Sequence, residues 1–183
     1  MATLPKVITY EEWLEMPVVE DRLEEVVEGE VRFMPPNKVP HARIIRALTA
    51  AFLRQLDFRK TECLSSTFGL VIRTEPLVCR SPDIAIFELA TMVEKDGYLH
   101  SAPQLIVEVL SPSESRKEIR AKLDDYESLG VPEVWLVSPE ACTVELLQLE
   151  DGKLSRTALV AEGILQPKHF PGVKVDIAEI WPA

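Results

Sequence analysis

Glycine is scarce, with seven residues in a chain of 183. That leaves little material for the glycine-rich loops that cradle nucleotide phosphates. Cysteine is scarcer: Cys63, Cys79 and Cys142 are odd in number and scattered. Neither a disulfide framework nor a zinc knuckle is expected, and a reducing cytoplasm is the default setting. No apolar run approaches the ~18 residues that span a bilayer, so no membrane partner is expected. The opening MATLPKVITYEEW lacks an apolar signal-peptide segment and turns acidic at once. A Ser-His-Asp order is missing, as are internal repeats, low-complexity segments and interdomain linkers. Net positive charge is lacking too: the chain carries −10, which argues against a general, high-affinity nucleic-acid coat.

What remains is an ordinary globular balance of 46% apolar and 27% charged residues. This length suffices for one domain with a sizeable core, or one domain plus a decorating hairpin. The charge is unevenly spread. From Arg32 to Lys60 there are seven basic residues (Arg32, Lys38, Arg43, Arg46, Arg54, Arg59, Lys60) against one acid, Asp57. Arg116, Lys117, Arg120 and Lys122 form a second cluster. Each reads either as a solvated helix face or as a local phosphate-facing surface on an acidic protein.

Thr9 followed by Glu12 is a capping-box pattern, so a short helix is expected through EEWLEM, ending before Pro17. EEVVEGEVRFM, residues 24–34, reads as two short strands turning at Glu28-Gly29, and Pro35-Pro36-Asn37 then breaks the chain. Ile44, Ile45, Leu48, Phe52 and Leu56 recur at helical spacing, with His41, Arg43, Arg46 and Arg54 largely off that stripe. Strands are expected over about 62–73 and 81–87, with a mixed connector over 88–102. Leu105 to Leu110 reads as a buried strand. SPSES ends it and starts a helix on which Ile119, Leu123 and Tyr126 repeat, closed by Gly130. VPEVWLVSP is another strand, and the alternation around Asp151-Gly152 is a hairpin by its turn chemistry. The helical connection between the Leu105 and Val134 strands permits a right-handed parallel crossover, whereas the earlier strands could be antiparallel. The expected fold class is α/β (α+β): one mixed β-sheet flanked by helices, with added β-hairpins. A single domain over 1–183 is expected, with its core over about 38–139, an N-terminal helix and hairpin over 9–34, and a C-terminal hairpin extension over 141–183.

Three features bear on chemistry. Ser81-Pro82-Asp83 opens the strand IAIF, which alone is a common strand entry. Glu108 sits in the middle of LIVEVL, where an unpaired buried carboxylate would cost several kcal/mol, so a partner, a proton or a metal is expected. Lys122 lies one turn before Tyr126 on the following helix; Tyr126 itself reads as a packing residue with a hydroxyl handle. An Asp and a Glu from neighbouring strands can converge at one point of a sheet. Two such hard oxygen ligands suit Mg²⁺ or Mn²⁺, with waters and a substrate phosphate completing the octahedron.

Asp83 and Glu108, set as PD…(I/V)VEV, resemble the PD-(D/E)xK superfamily of restriction-endonuclease-like nucleases. More narrowly, the chain is similar to a large bacterial family of uncharacterised proteins described as candidate restriction endonucleases. The resemblance runs from about Tyr10 to Trp181. EEVVEGEVRFMPP carries it first, followed by His41, SPDIAIF, APQLIVEVLSPSES, KLDDYESLGVPEVWLVSPE and FPGVKVDIAEIW. It implies a restriction-endonuclease-like core and a metal-dependent phosphodiesterase, with Asp83, Glu108 and the carbonyl of Val109 as metal ligands. The motif's lysine should stand at residue 110, which here is Leu110. In this family a lysine on the following helix can occupy the same space; Lys122 is the match and Lys117 the competitor. Glu25 and His41 also match the pattern, Glu25 as an additional acid near the metal and His41 as a phosphate contact. Each has a plainer reading, as a strand-surface carboxylate and a helix N-terminal histidine.

The expected activity is therefore hydrolysis of DNA phosphodiester bonds by Mg²⁺-activated water, with Mn²⁺ as a substitute. The alternative is a weak or inactive nuclease-fold module serving nucleic-acid binding or assembly. DNA is the expected partner, through Arg43, Arg46 and Lys117 of the basic clusters. A homodimer is expected because a twofold pair most simply cuts both strands.

Overall fold

The computed structural model describes residues 7–17, 23–34, 36–65 and 67–181. Pro35 of the expected chain break and Ser66 of the expected strand over 62–73 lie outside these, as do residues 182–183 of the expected C-terminal extension. The chain makes α1 (Tyr10–Leu14), a hairpin of β1 (Leu23–Val27) and β2 (Glu30–Met34), and then the long α2 (Val39–Leu53). Next come β3 (Thr61–Ser65), a hairpin of β4 (Leu70–Thr74) and β5 (Leu77–Arg80), β6 (Ile84–Glu88), and the short β7 (Glu94–Lys95) and β8 (Tyr98–Leu99). After β9 (Leu105–Val109) follow α3 (Arg116–Leu129), β10 (Glu133–Ser138), β11 (Thr143–Glu150) and β12 (Lys153–Val160). The chain then forms β13 (Ile164–Leu165), β14 (Val175–Asp176) and a 3-10 turn at Ile177–Glu179.

Local chemistry sets most of these boundaries. Thr9 and Glu12 form a complete capping box at α1, and Ser115 and Glu118 do the same at α3. Gly130 closes α3 at φ 85°, a left-handed conformation that glycine adopts without steric cost. Glu28-Gly29 and Asp151-Gly152 both have positive φ at each residue, the geometry of tight hairpin turns.

The central sheet has the order β12-β11-β10-β9-β6-β3. Strands β9 and β10 are parallel across α3, as the crossover argument expects, while β6 runs antiparallel to β9 and β3 to β6. The hairpin of β11 and β12 extends this sheet. The expected continuous strand over 62–73 is split instead: β3 stays in the central sheet and β4 joins a second one. That sheet, ordered β2-β1-β5-β4-β8-β7, is built from the N-terminal hairpin and two excursions of the core. The connector over 88–102 holds one of these, turning at Asp96-Gly97 with arms of only two residues.

Alternation along β9 explains how the sheet is used. Leu105, Val107 and Val109 face α2, in a core with Ile44, Leu48, Phe52 and Trp135. Leu165, Phe170, Val173, Val175, Ile177 and Ile180 close that core from the C-terminal segment. Gln55, two residues past the end of α2, grips Lys174 of this segment with both atoms of its side-chain amide, donating to the carbonyl at 2.8 Å and accepting from the N–H at 2.9 Å. Ile106 faces the other way, in a core with Leu123 and Tyr126 of α3 and with Leu70 and Leu99 of the second sheet. Glu108 shares its parity. No described helix is long and apolar enough to cross a membrane.

Candidate active site

Pairing of Ile84 with Val107 sets the entry to β6 beside the C-terminal end of β9. Asp83 is held there: its Oδ2 accepts the Val109 N–H at 2.8 Å. One residue earlier on β9, Glu108 is 4% exposed and points to the α3 face. Its Oε2 accepts from the Lys122 ammonium at 2.9 Å and its Oε1 from the Tyr126 hydroxyl at 2.5 Å. The buried acid thus has its partner. Lys122 also pairs with Glu114 at 3.1 Å.

The electrostatics follow from this enclosure. Burial raises the Glu108 carboxyl to about 7, with the nearby Asp83 charge adding to the rise and Lys122 and Tyr126 opposing it. Burial pulls the Lys122 ammonium down, yet Glu108 and Glu114 outweigh it and hold its proton more tightly than usual. The Tyr126 hydroxyl is raised well above its ordinary range by burial and the Glu108 charge. It is therefore a fixed proton donor rather than a titrating group.

His41, in the first turn of α2, reaches the same place from the opposite face of the sheet. Its Nε2 lies 2.7 Å from the Val109 carbonyl and 3.4 Å from Asp83 Oδ2. Burial lowers the imidazole, but the Asp83 bond and charge prevail and the net shift is upward. Among the described residues its buried Nδ1 finds no hydrogen-bond partner.

Glu25 is buried on β1. It accepts from Arg80 Nη1 at 2.9 Å and from the Ser81 N–H at 3.1 Å, so its oxygens are already engaged two residues from Asp83. Of the two candidate lysines, Lys122 contacts Glu108, whereas Lys117 is exposed on the first turn of α3. Leu110 packs against the α3-side core. Arg43 and Arg46 are exposed on α2 beyond His41. The structure therefore brings Asp83, Glu108, Val109, His41 and Lys122 together, with Glu25 adjacent, and leaves Arg43, Arg46 and Lys117 on the surface.

Sequence reasoning missed Arg80, Glu114 and Asp125. Asp125, at three residues from Lys122 on the same helix, bonds Arg80 Nη2 at 2.6 Å. The dipeptide Arg80-Ser81 just before Pro82-Asp83 was the only available signal for Arg80, and a charge at a strand end usually reads as solvated.

Among the described residues no group of three His, Cys, Asp or Glu side chains is arranged to hold a metal. Asp83, Glu108 and the Val109 carbonyl form a smaller set of hard oxygen donors. That matches Mg²⁺, which keeps several waters and uses one or two carboxylates. Around them Glu108 and Glu114 pair with Lys122, Glu25 and Asp125 with Arg80, and Asp83 with His41.

A crystal structure of a putative nuclease belonging to DUF820 from Anabaena variabilis ATCC 29413 superposes with a TM-score of 0.75. The match covers 94% of this chain and 97% of that one at 18% identity, which establishes a shared fold. No curated protein matches. The profile of the Uma2 family, described as "Putative restriction endonuclease", matches residues 10–178. The chain belongs to that family, within the restriction-endonuclease-like superfamily.

Proposed function

We propose that this protein is a metal-dependent endonuclease that hydrolyses DNA phosphodiester bonds. The observation that carries the reading is the Lys122 ammonium on Glu108 at 2.9 Å. It offers the cation that the motif needs and that Leu110 cannot provide. Asp83, Glu108 and the Val109 carbonyl would hold Mg²⁺ or Mn²⁺. When bound, such an ion supplies positive charge to the scissile phosphate and lowers the pKa of a water. Lys122 orients the attacking water from the Glu108 side and offsets negative charge that grows in the transition state. Tyr126 holds the Glu108 carboxylate in one rotamer. His41 steadies the Val109 carbonyl and Asp83 through Nε2, and would meet a phosphate oxygen only by turning its ring out of that contact.

The substrate would approach along α2, where Arg43 and Arg46 extend from the His41 end, with Lys117 contributing from α3. These local charges suit the phosphate backbone on an otherwise acidic protein. A homodimer would place two such sites on opposite strands. The three free thiols fit a reducing, cytoplasmic setting.

A second reading, a binding or assembly module without catalysis, is favoured by one observation. Both oxygens of Glu108 already have protein donors. Nicking of supercoiled DNA in Mg²⁺ or Mn²⁺, measured for wild type, Asp83→Asn and Glu108→Gln, separates the two. Cleavage by wild type alone supports the nuclease. DNA binding without cleavage by any of the three supports the module.

A further inference from the structure

We infer that Arg80 is a positioning residue, clamping β1 and α3 to the strand entry that carries Asp83 and so keeping the Lys122 ammonium on Glu108. The catalytic value of that placement rests on the nuclease reading above, but the clamp itself does not.

Arg80 is the last residue of β5 and is 4% exposed. Its guanidinium is used on two sides. Nη1 donates to Glu25 Oε2 at 2.9 Å, while Nε and Nη2 reach Asp125 Oδ2 at 2.7 and 2.6 Å. Glu25 closes a loop with its other oxygen, which takes the N–H of Ser81 at 3.1 Å. The peptide between Arg80 and Ser81 is therefore gripped from β1. Three residues after Arg80, Asp83 holds the Val109 N–H.

Asp125 lies between Lys122 and Tyr126 in sequence, and both of these contact Glu108. A helix moves as a rigid rod over one turn, so anchoring Asp125 fixes where the other two stand. The motif's own lysine would have been fixed by the strand it sits on. A lysine borrowed from a helix needs that helix held in register against the sheet, and Arg80 supplies the link. Lysine at position 80 would not replace it, because only a planar fork can bond two carboxylates in fixed directions.

A buried ion triad that merely stabilises the fold predicts something different. Its removal would lower global stability without selectively freeing Lys122. The triple variant Glu25→Gln, Arg80→Met, Asp125→Asn removes the charges together and leaves no buried acid unpaired. Amine-reactive ester labelling of the metal-free protein, read by peptide mass spectrometry, reports Lys122 against the exposed Lys117. The expected result is a rise of about tenfold in the Lys122 rate at an unchanged Lys117 rate, in a protein that still melts cooperatively. Asp125→Asn alone, which keeps the Arg80–Glu25 pair, should give a rise of about threefold and serves if the triple variant does not fold. Lys122 protected as in wild type in the folded variant overturns the clamp.

The nuclease reading fails separately, if wild-type protein cleaves no DNA; the labelling result stands regardless. In an active wild type, Asp125→Asn should lower kcat with the KM for DNA unchanged, because the DNA-facing arginines are untouched. A raised KM at constant kcat would count against a positioning role.

Discussion

Two adjacent strands of the central sheet each bury a glutamate, and the two are not alike. Glu133, at the start of β10, is 1% exposed, and Glu108, near the end of β9, is 4% exposed. Glu133 accepts from the Trp135 indole at 2.7 Å and from the Lys168 N–H at 2.8 Å, both neutral donors. It ties the C-terminal segment to the sheet. Glu108 is met instead by an ammonium, a phenol and a second carboxylate. Strands β9 and β10 are parallel, so the two acids lie at opposite ends of one strand pair. Glu108 occupies the carboxyl end, beside the entry to β6 that carries Asp83. Burial alone therefore does not mark a site: both acids are raised by desolvation. The charge of the neighbours and the end of the strand distinguish them.

The sharpest way to break this contrast is cleavage by paired variants. Glu108→Gln should lower the DNA-cleavage rate on the order of 10³-fold, while Glu133→Gln stays within about twofold of wild type. Similar losses in both would mean that a generic defect of the sheet is being read. The order reverses for stability. Glu133→Ala leaves the Trp135 and Lys168 N–H groups without acceptors and should cost about 3 kcal/mol in urea unfolding. A cost under about 0.5 kcal/mol would show that water replaces the carboxylate there.

The pH dependence sharpens the comparison further. The Glu108 carboxyl lies at about 7 in the folded protein against an ordinary 4.5. The native state thus binds the extra proton, and the stability this contributes is present below 4.5 and lost as pH rises through about 7. At most about 3 kcal/mol is involved. Glu108→Gln should flatten this part of the profile between pH 5 and 8, measured by urea unfolding at each pH. An unchanged slope would place the titration elsewhere. The smallest effect is thermal. Mn²⁺ at about ten times its dissociation constant should raise the wild-type Tm by a few degrees, corresponding to about 1.4 kcal/mol, and leave Asp83→Asn unmoved. An equal rise in both would remove Asp83 from the ligand set.

How much of this was legible in the sequence depended on the distance over which each residue acts. Ser115 with Glu118, Gly130, Glu28-Gly29 and Asp151-Gly152 act within four residues, and the elements they bound are where the sequence reading put them. The division between β3 and β4 was not legible, because Leu64 and Leu70 both pack toward the α3-side core and only the partner strands differ. The turn at Asp96-Gly97 carries the same signature as Asp151-Gly152, but its two-residue arms are too short to show alternation. At the site, Glu108 stood out because an acid in an apolar strand is conspicuous, whereas Asp83, an ordinary strand entry alone, gained weight only beside Glu108 and through the family resemblance. Lys122 was preferred over its competitor Lys117 through the family pattern, but which of them contacts Glu108 depends on the angle of α3 on the sheet. Arg80 stayed hidden because its partners stand 55 and 45 residues away in opposite directions.

The paired hydrogen bonds between Gln55 and Lys174 have a consequence for how the protein is made. Those residues are 119 apart, and the apolar face of α2 is closed by residues on both sides of Lys174. At about 5–20 residues per second, a ribosome needs on the order of ten seconds to travel between them. Throughout that interval the nascent chain carries Ile44, Leu48 and Phe52 without their C-terminal cover. Chaperone occupancy on the newly made chain should be highest after residues 39–53 have left the exit tunnel and fall once the segment through Ile180 is also outside it.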